Sequence, residues 1–467
     1  MPGSAARIVT EGSRLPDASS DRFVRSTAAL VSSNATGAVL GVAFWAVAAR
    51  LYSAKNVGYG VAEIAAMTFV ASIALLNLGT VFPRFLYAAG ARVRDVLRAG
   101  YAASVSVALA AAILFLAFSG HHNFIQPGFA SAALFVAAAV LWAVFTIEDA
   151  ALVGLRATVW VPVENTSFSI GKIILLPVFA VALPRSGVFA SWILPVIICV
   201  IAVNYYLFRR VVPAHVARAN GRGVLPERRV MGTVVLGEYI GGLAFMSMNQ
   251  LPALIVASRL GSAQAAYFQT PWIAGIAFDM LLFSFATSLI VESTVRPTAA
   301  TATVRKAVRL ATIVLLPGLA IIVIGAPYFL SILGHEYAVK GAPLLRLVAL
   351  ALPFMAVNVL YVTYARLARR VRRVVSIQVS IAAIVLGLTV LFVGHLGIAG
   401  VGLAFLIGQA AICVVVFPSV ARQYRHPEMT PSYADGATLV AGADDPAASR
   451  PTSPPEGSAE TDARGDT

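Results

Sequence analysis

Apolar residues fall along the chain in twelve blocks, at roughly 26–49, 57–80, 99–119, 129–147, 163–183, 188–208, 231–256, 265–290, 306–330, 343–365, 374–393 and 398–420. Each is close to the ~20 residues that carry an α-helix across ~30 Å of hydrocarbon. Lipid offers no hydrogen-bond partner to a backbone amide, so such blocks satisfy their own peptide groups as helices. The pattern predicts an all-α polytopic membrane protein with twelve spans. The connections are short, the tightest being Pro184-Arg185-Ser186-Gly187 between the fifth and sixth blocks. None is long enough to form a soluble catalytic domain.

The pattern also repeats. After the first block the chain reads Ala48-Ala49-Arg50-Leu51-Tyr52-Ser53-Ala54, and 209 residues later Ala257-Ser258-Arg259-Leu260-Gly261-Ser262-Ala263. Ala, Arg, Leu, Ser and Ala recur at matching places. Six spans is an even number, so both halves enter the membrane in the same sense, as in a parallel repeat about an axis along the membrane normal. The sequence divides accordingly into a cytoplasmic segment 1–25, a six-helix lobe 26–208, a basic cytoplasmic linker 209–230, a second six-helix lobe 231–420, and an acidic tail 421–467 rich in Pro, Ser, Ala and Gly, a composition that stays disordered.

Composition agrees with this division. Of 467 residues 59% are hydrophobic and 12% charged, with a mean hydropathy of +0.83, whereas a soluble domain carries about 25% charged residues. The 35 Lys and Arg give a net charge of +14, and they are not spread evenly: alternate connections hold 28 of them, the other set only Arg50, Lys55, Arg185, Arg259, Lys340 and Arg346. That asymmetry is the positive-inside signature. It predicts a multi-pass protein of the cytoplasmic membrane with both termini in the cytoplasm, and it accounts for the basic charge without nucleic acid. The same arginines can meet anionic lipid headgroups. Cys199 and Cys413 lie in apolar blocks, and His121-His122 lacks a third ligand, so neither a metal nor another cofactor is expected.

Ionisable groups inside a span are costly and mark a cavity or a partner. Lys172 lies deep in the fifth block, and Glu238 and Asp279 lie at a similar depth from the basic side. Two readings follow for Lys172: a cationic centre in a polar cavity between the halves, able to meet a phosphate, or a structural ion pair with Asp279 or Glu238. Glu63, early in the second block, can reach interfacial water. Arg50 and Arg259 sit where the repeat places the outer mouth. Asn34 and Asn249 put polar groups into the first helix of each half, consistent with both helices facing the cavity. Prolines 177, 195, 252, 271, 317 and 353 are positioned to kink helices.

Residues 148–176 read Glu148-Asp149, Leu152, Gly154-Leu155-Arg156, Trp160, Pro162, Glu164-Asn165, Lys172 and Leu175-Leu176. Together with the repeated Ala-x-Arg-Leu-x-Ser-Ala, this resembles the polysaccharide-transporter branch of the multidrug/oligosaccharidyl-lipid/polysaccharide exporter (MOP) superfamily. The resemblance implies two six-helix lobes in a V around a central cavity. It also implies a flippase that moves polyprenyl-pyrophosphate-linked oligosaccharide to the outer leaflet for surface polysaccharide biosynthesis. Polysaccharide glycosyltransferases and a polymerase would then be its partners. With one cavity lysine and two nearby carboxylates the chain departs from a multi-arginine pyrophosphate clamp, leaving room for coupling to H+ or Na+. The alternative is a cation-coupled exporter of drugs or small molecules on the same fold. A membrane-embedded glycosyltransferase would need acidic metal-binding motifs, and none is present.

Overall fold

The computed structural model describes residues 37, 39–119, 125, 127–219, 221, 228–275, 317–368 and 370–425. Every regular element among them is helical. The first half contains α1 (Val39–Leu51), α2 (Ala54–Ala74), α3 (Leu78–Phe85), α4 (Val93–Ser119), α5 (Phe129–Gly154), α6 (Trp160–Ala182), α7 (Gly187–Tyr206) and α8 (Val212–Ala219). The second contains α9 (Arg228–Leu260), α10 (262–275), α11 (Pro317–Ser331), α12 (His335–Leu367), α13 (Val371–Leu396) and α14 (Ile398–Arg425). Nine of these described helices are long and apolar enough to cross a membrane, and α1 and α11 are shorter apolar helices. The chain is a multi-pass, all-α membrane protein. Residues 276–316, which carry Asp279, and residues 1–36, which carry Asn34, lie outside the described set, as do His121, His122 and the tail beyond 425.

Helix ends depart from the sequence blocks where local backbone chemistry intervenes. The second apolar block extends to residue 80, but α2 stops at Ala74 because Leu76 and Asn77 take left-handed backbone angles (φ 47° and 60°). Asn tolerates that conformation better than most residues. The chain then restarts as α3, which contains Pro83 and lies in the arginine-rich connection. After α7 one π-helical turn, Leu207–Val211, leads into α8, so the start of the 209–230 segment is helical. His215 on α8 donates from Nε2 to the carbonyl of Tyr87 at 3.1 Å.

Both copies of the repeated motif form a sharp corner between helices. The Ser53 hydroxyl caps α2 by accepting from the Asn56 amide at 3.3 Å. The second corner turns at Gly261 between α9 and α10. Ala48 and Ala257 are buried. The corners also meet: a Cβ on Gly58 would fall 1.6 Å from the Ser262 carbonyl oxygen. Only a residue with no side chain lets the backbones approach so closely.

Between apolar helices in lipid there is little hydrophobic drive, so association rests on close packing of small residues. α2 shows this, burying Gly58, Gly60, Ala62, Ala65, Ala66, Ala71 and Ala74. Ala71 and Ala74 pack with Ala108 of α4 and Ala143 of α5. α2 also packs against α9, joining the halves, while α12, α13 and α14 pack with one another and α9 packs on α13.

Candidate functional site

On α6 the buried side chains are Glu164, Phe168, Ser169, Lys172 and Leu176. Glu164, Phe168, Lys172 and Leu176 follow a spacing of four and so share one face of the helix. That stripe points into the first half and carries its polar chemistry.

Lys172 is 4% exposed. Its Nζ lies 3.9 Å from the centroid of Trp192, 4.5 Å from Phe168 and 5.2 Å from Phe44. These rings form part of a larger aromatic shell: Phe44 packs edge-on to Trp45 at 5.1 Å and to Trp192 at 5.3 Å, and Trp142 meets Phe168 at 5.6 Å. A desolvated ammonium over aromatic faces gains about 2 kcal/mol or more from the ring quadrupoles, which offsets part of its burial cost. Among the described residues no ion pair joins Lys172 to a carboxylate.

Two turns along the stripe, toward the arginine-rich side, sits an acid–amide cluster. Glu148 on α5 is fully buried and Glu164 is 3% exposed, and the two carboxyl groups lie side by side. Asn204 on α7 donates to Glu148 Oε2, and also to the Val200 carbonyl at 2.9 Å. Asn165 donates to Asp149 Oδ2 and to the Val161 carbonyl, both at 3.0 Å. Three helices therefore place three carboxyl groups and two amides in one layer. The sequence shows Glu148-Asp149 and Glu164-Asn165 without joining them; what aligns Glu164 with Lys172 is a pair of four-residue steps through Phe168. No group of three or more metal-ligating side chains forms among the described residues.

The motif Gly154-Leu155-Arg156 closes the arginine-rich end of α5. A Cβ on Gly154 would lie 2.5 Å from the Phe82 carbonyl oxygen, so α3 rests directly on this position. Arg156 takes φ 60° and stacks 4.0 Å over Tyr87.

The remaining sequence-selected residues lie where the halves touch, or are occupied locally. Glu238 on α9 pairs with Arg84 of α3 at 3.5 Å, and Arg366 of α12 interacts electrostatically with both. Beside them Tyr239 donates its hydroxyl to the Ile73 carbonyl at 2.7 Å. On the opposite side Arg50 donates from Nε to the Ile332 carbonyl at 2.9 Å, and its Nη2 engages the same oxygen. The halves are thus tied both near the arginine-rich connections and at the far side. Arg259, the repeat partner of Arg50, is exposed at the end of α9. Asn249 donates to the Phe245 carbonyl of its own helix at 2.8 Å, and its carbonyl accepts from Trp272 Nε1 at 2.9 Å. Asn34 and Asp279 fall outside the described residues.

No family model matches this sequence, and no curated protein does either. Solved structures do match. The inward closed conformation of the lipid II flippase MurJ superposes with a TM-score of 0.60 at 11% identity, covering 85% of this chain and 87% of that one. The outward-facing conformation of a multidrug resistance MATE family transporter of the MOP superfamily gives 0.58 at 15% identity, covering 87% and 96%. A MOP superfamily transporter from Pyrococcus furiosus Vc1, described by the reverse polarity of its binding pocket, gives 0.56 at 14% identity over 87% and 96%. The all-α, multi-pass arrangement, the two repeated halves and nearly the whole length of the chain are accounted for by one architecture: the protein has the fold of the MOP superfamily transporters.

Proposed function

We propose that this protein is a flippase that carries polyprenyl-pyrophosphate-linked oligosaccharide across the cytoplasmic membrane by alternating access, supplying surface polysaccharide biosynthesis. Polysaccharide glycosyltransferases and a polymerase act before and after it. The observation that carries the reading is Lys172: a lysine held deep in the first half by aromatic rings and by no carboxylate among the described residues. A structural lysine inside a membrane protein is ordinarily neutralised by a partner. One surrounded by aromatic rings is left open to a phosphate that arrives with the substrate. The shared fold with a lipid II flippase supports a lipid-linked substrate.

The paired contacts between the halves fit alternating access. With the basic connections in the cytoplasm, Arg84–Glu238 and Tyr239–Ile73 close the inner side, while Arg50–Ile332 and Gly58–Ser262 close the outer side. Opening toward either face breaks one set and leaves the other. The membrane orientation, with both termini cytoplasmic, is part of this proposal.

The test is reconstitution of the purified protein with a fluorescent polyprenyl-pyrophosphate oligosaccharide and a leaflet-accessibility assay. Lys172→Ala is expected to slow flipping ~30-fold, the rate equivalent of losing a charge-assisted phosphate contact of about 2 kcal/mol, with normal membrane insertion, and Lys172→Arg to retain part of it. Unchanged flipping in Lys172→Ala removes the role assigned to the lysine. A second reading, a cation-coupled exporter of small molecules, is favoured by the layer that joins buried Glu148 and Glu164 with partly buried Asp149. Dye efflux driven by an imposed ion gradient, with no movement of lipid-linked sugar, would select it.

A further inference from the structure

A separate feature lies at the arginine-rich end of the first half. After the last turn of α5 the Arg156 amide donates to the Val153 carbonyl at 3.1 Å, and the Ala157 amide donates to the Leu152 carbonyl at 2.8 Å. That pair of bonds ends a helix on a left-handed residue, a place usually filled by glycine. Here it is Arg156, at φ 60°, where a Cβ crowds the following carbonyl. Strain of this kind gathers at functional positions. The Arg156 side chain is exposed, 4.0 Å over the ring of Tyr87, and a guanidinium held by its face keeps its in-plane N–H donors for another partner. Tyr87 also packs on His215 of α8, with ring centroids 4.9 Å apart. Arg156 and the exposed Arg218 both act electrostatically on His215, so the two guanidinium groups flank one histidine. α8 packs in turn on the 3-10 turn Gly90–Arg92, which ends in exposed Arg92. Across α3, that turn, the first turn of α4 and α8 the one acid is Asp95, and no ion pair among the described residues engages it or these arginines. Val159 and Trp160, three and four residues beyond Arg156, are exposed, and Trp160 packs on Tyr206 at the end of α7, 4.6 Å between centroids.

We propose that Arg156 and Arg218, with Arg92 at the margin, hold the phosphate of one acidic phospholipid from the leaflet on this side. Arginine forks match phosphate oxygens in a bidentate fashion, and two of them without a carboxylate favour a headgroup with net negative charge over a zwitterionic one. The neighbouring surface selects a lipid over a soluble phosphate. Exposed tryptophan and tyrosine mark headgroup depth in a membrane protein, so the cations stand level with phospholipid phosphates, and Val159 offers apolar surface to an acyl chain. A bound headgroup would brace α8 against Tyr87 and the end of α5. This surface site is distinct from buried Lys172 and does not rest on the lipid-linked substrate.

The experiment is equilibrium binding of a fluorescent phosphatidylglycerol to the full-length purified protein in detergent, without any transport substrate. Unlabelled phosphatidylglycerol, phosphatidylcholine and inorganic phosphate serve as competitors. Saturable binding of about one lipid per chain is expected, displaced by phosphatidylglycerol far better than by the other two. Arg156→Gly and Arg218→Gln should each weaken it about tenfold, the loss of one charge-assisted contact. Arg372→Gln with Arg373→Gln, which removes two exposed arginines from a connection of the second half, should leave it intact. Arg156→Gly should melt no lower than the parent, because glycine takes φ 60° without strain, so its loss of binding cannot be charged to unfolding. Binding equal in Arg156→Gly and the parent overturns the site. An equal loss in the Arg372/Arg373 variant overturns it as well, since diffuse charge would then explain the affinity. Displacement by inorganic phosphate as effective as that by phosphatidylglycerol overturns the assignment to a lipid. Flipping of lipid-linked sugar is read in a separate assay, so each result leaves the proposed function to be judged by itself.

Discussion

At the scale of single residues, the first half concentrates chemistry that lipid would otherwise forbid. The Asn204 amide is the clearest example, because it donates to a carboxylate with no exposure at all. Removing a donor from a buried acceptor leaves that acceptor unsatisfied, which costs about 1–3 kcal/mol. Asn204→Leu is therefore expected to lower the melting temperature measurably in detergent. The pair Asn204→Leu with Glu148→Leu, which removes donor and acceptor together, should recover most of the loss. A melting curve unchanged by Asn204→Leu would show that Glu148 draws its stabilisation from another group. The sequence made Lys172 conspicuous, since one lysine in an apolar block stands out. It did not reveal the aromatic box, whose rings come from α1, α6 and α7, because contacts between distant helices leave no local pattern. Glu164 was visible only as part of a motif, and its alignment with Lys172 needed the four-residue step to be read as a helix face.

At the scale of elements, block lengths and hydropathy were enough to place nearly every described span, because length and apolarity are what the bilayer selects. What they missed are features set by backbone conformation: the early stop of α2 at the left-handed Leu76 and Asn77, and the helical continuation from Leu207 through Ala219. The repeated motif was legible as a repeat but not as a contact. In the structure it forms two corners that press together, with Gly58 against the Ser262 carbonyl. Any side chain at residue 58 must push α2 from the second corner, and the obstacle is backbone, so a rotamer change gives no relief. Gly58→Val is expected to separate the halves on the arginine-poor side. Maleimide labelling of a cysteine placed at Ser258, in a background with Cys199 and Cys413 replaced by serine, should speed up in that variant. Labelling at the parental rate would mean that the corners do not govern access there.

At the scale of the whole molecule, the two sets of contacts make opposite demands, and their strengths fix how far either can bias the protein. Arg84 is half-exposed, and exposed ion pairs contribute about 0.2–1 kcal/mol. Losing this one can shift an equilibrium by no more than about fivefold. Because Arg366 also acts on Glu238, replacing Arg84 alone leaves the acid with a second cation, so the sharper change is at Glu238. Glu238→Lys sets a third positive charge against Arg84 and Arg366 and replaces attraction with repulsion. Spin labels at the exposed positions Ala88 and Leu236 would straddle this contact, Ala88 just beyond α3 and Leu236 on α9. Their distance distribution is expected to gain a longer component in Glu238→Lys and to return toward the parental one when Arg84→Glu is added. Under the alternating access proposed above, the contacts on the opposite side, Arg50–Ile332 among them, should then be favoured in the single variant. A distribution identical in parent and variant would show that the two halves are held on the arginine-rich side by α2–α9 packing and the Tyr239 hydrogen bond alone, with charge contributing nothing to the choice of state.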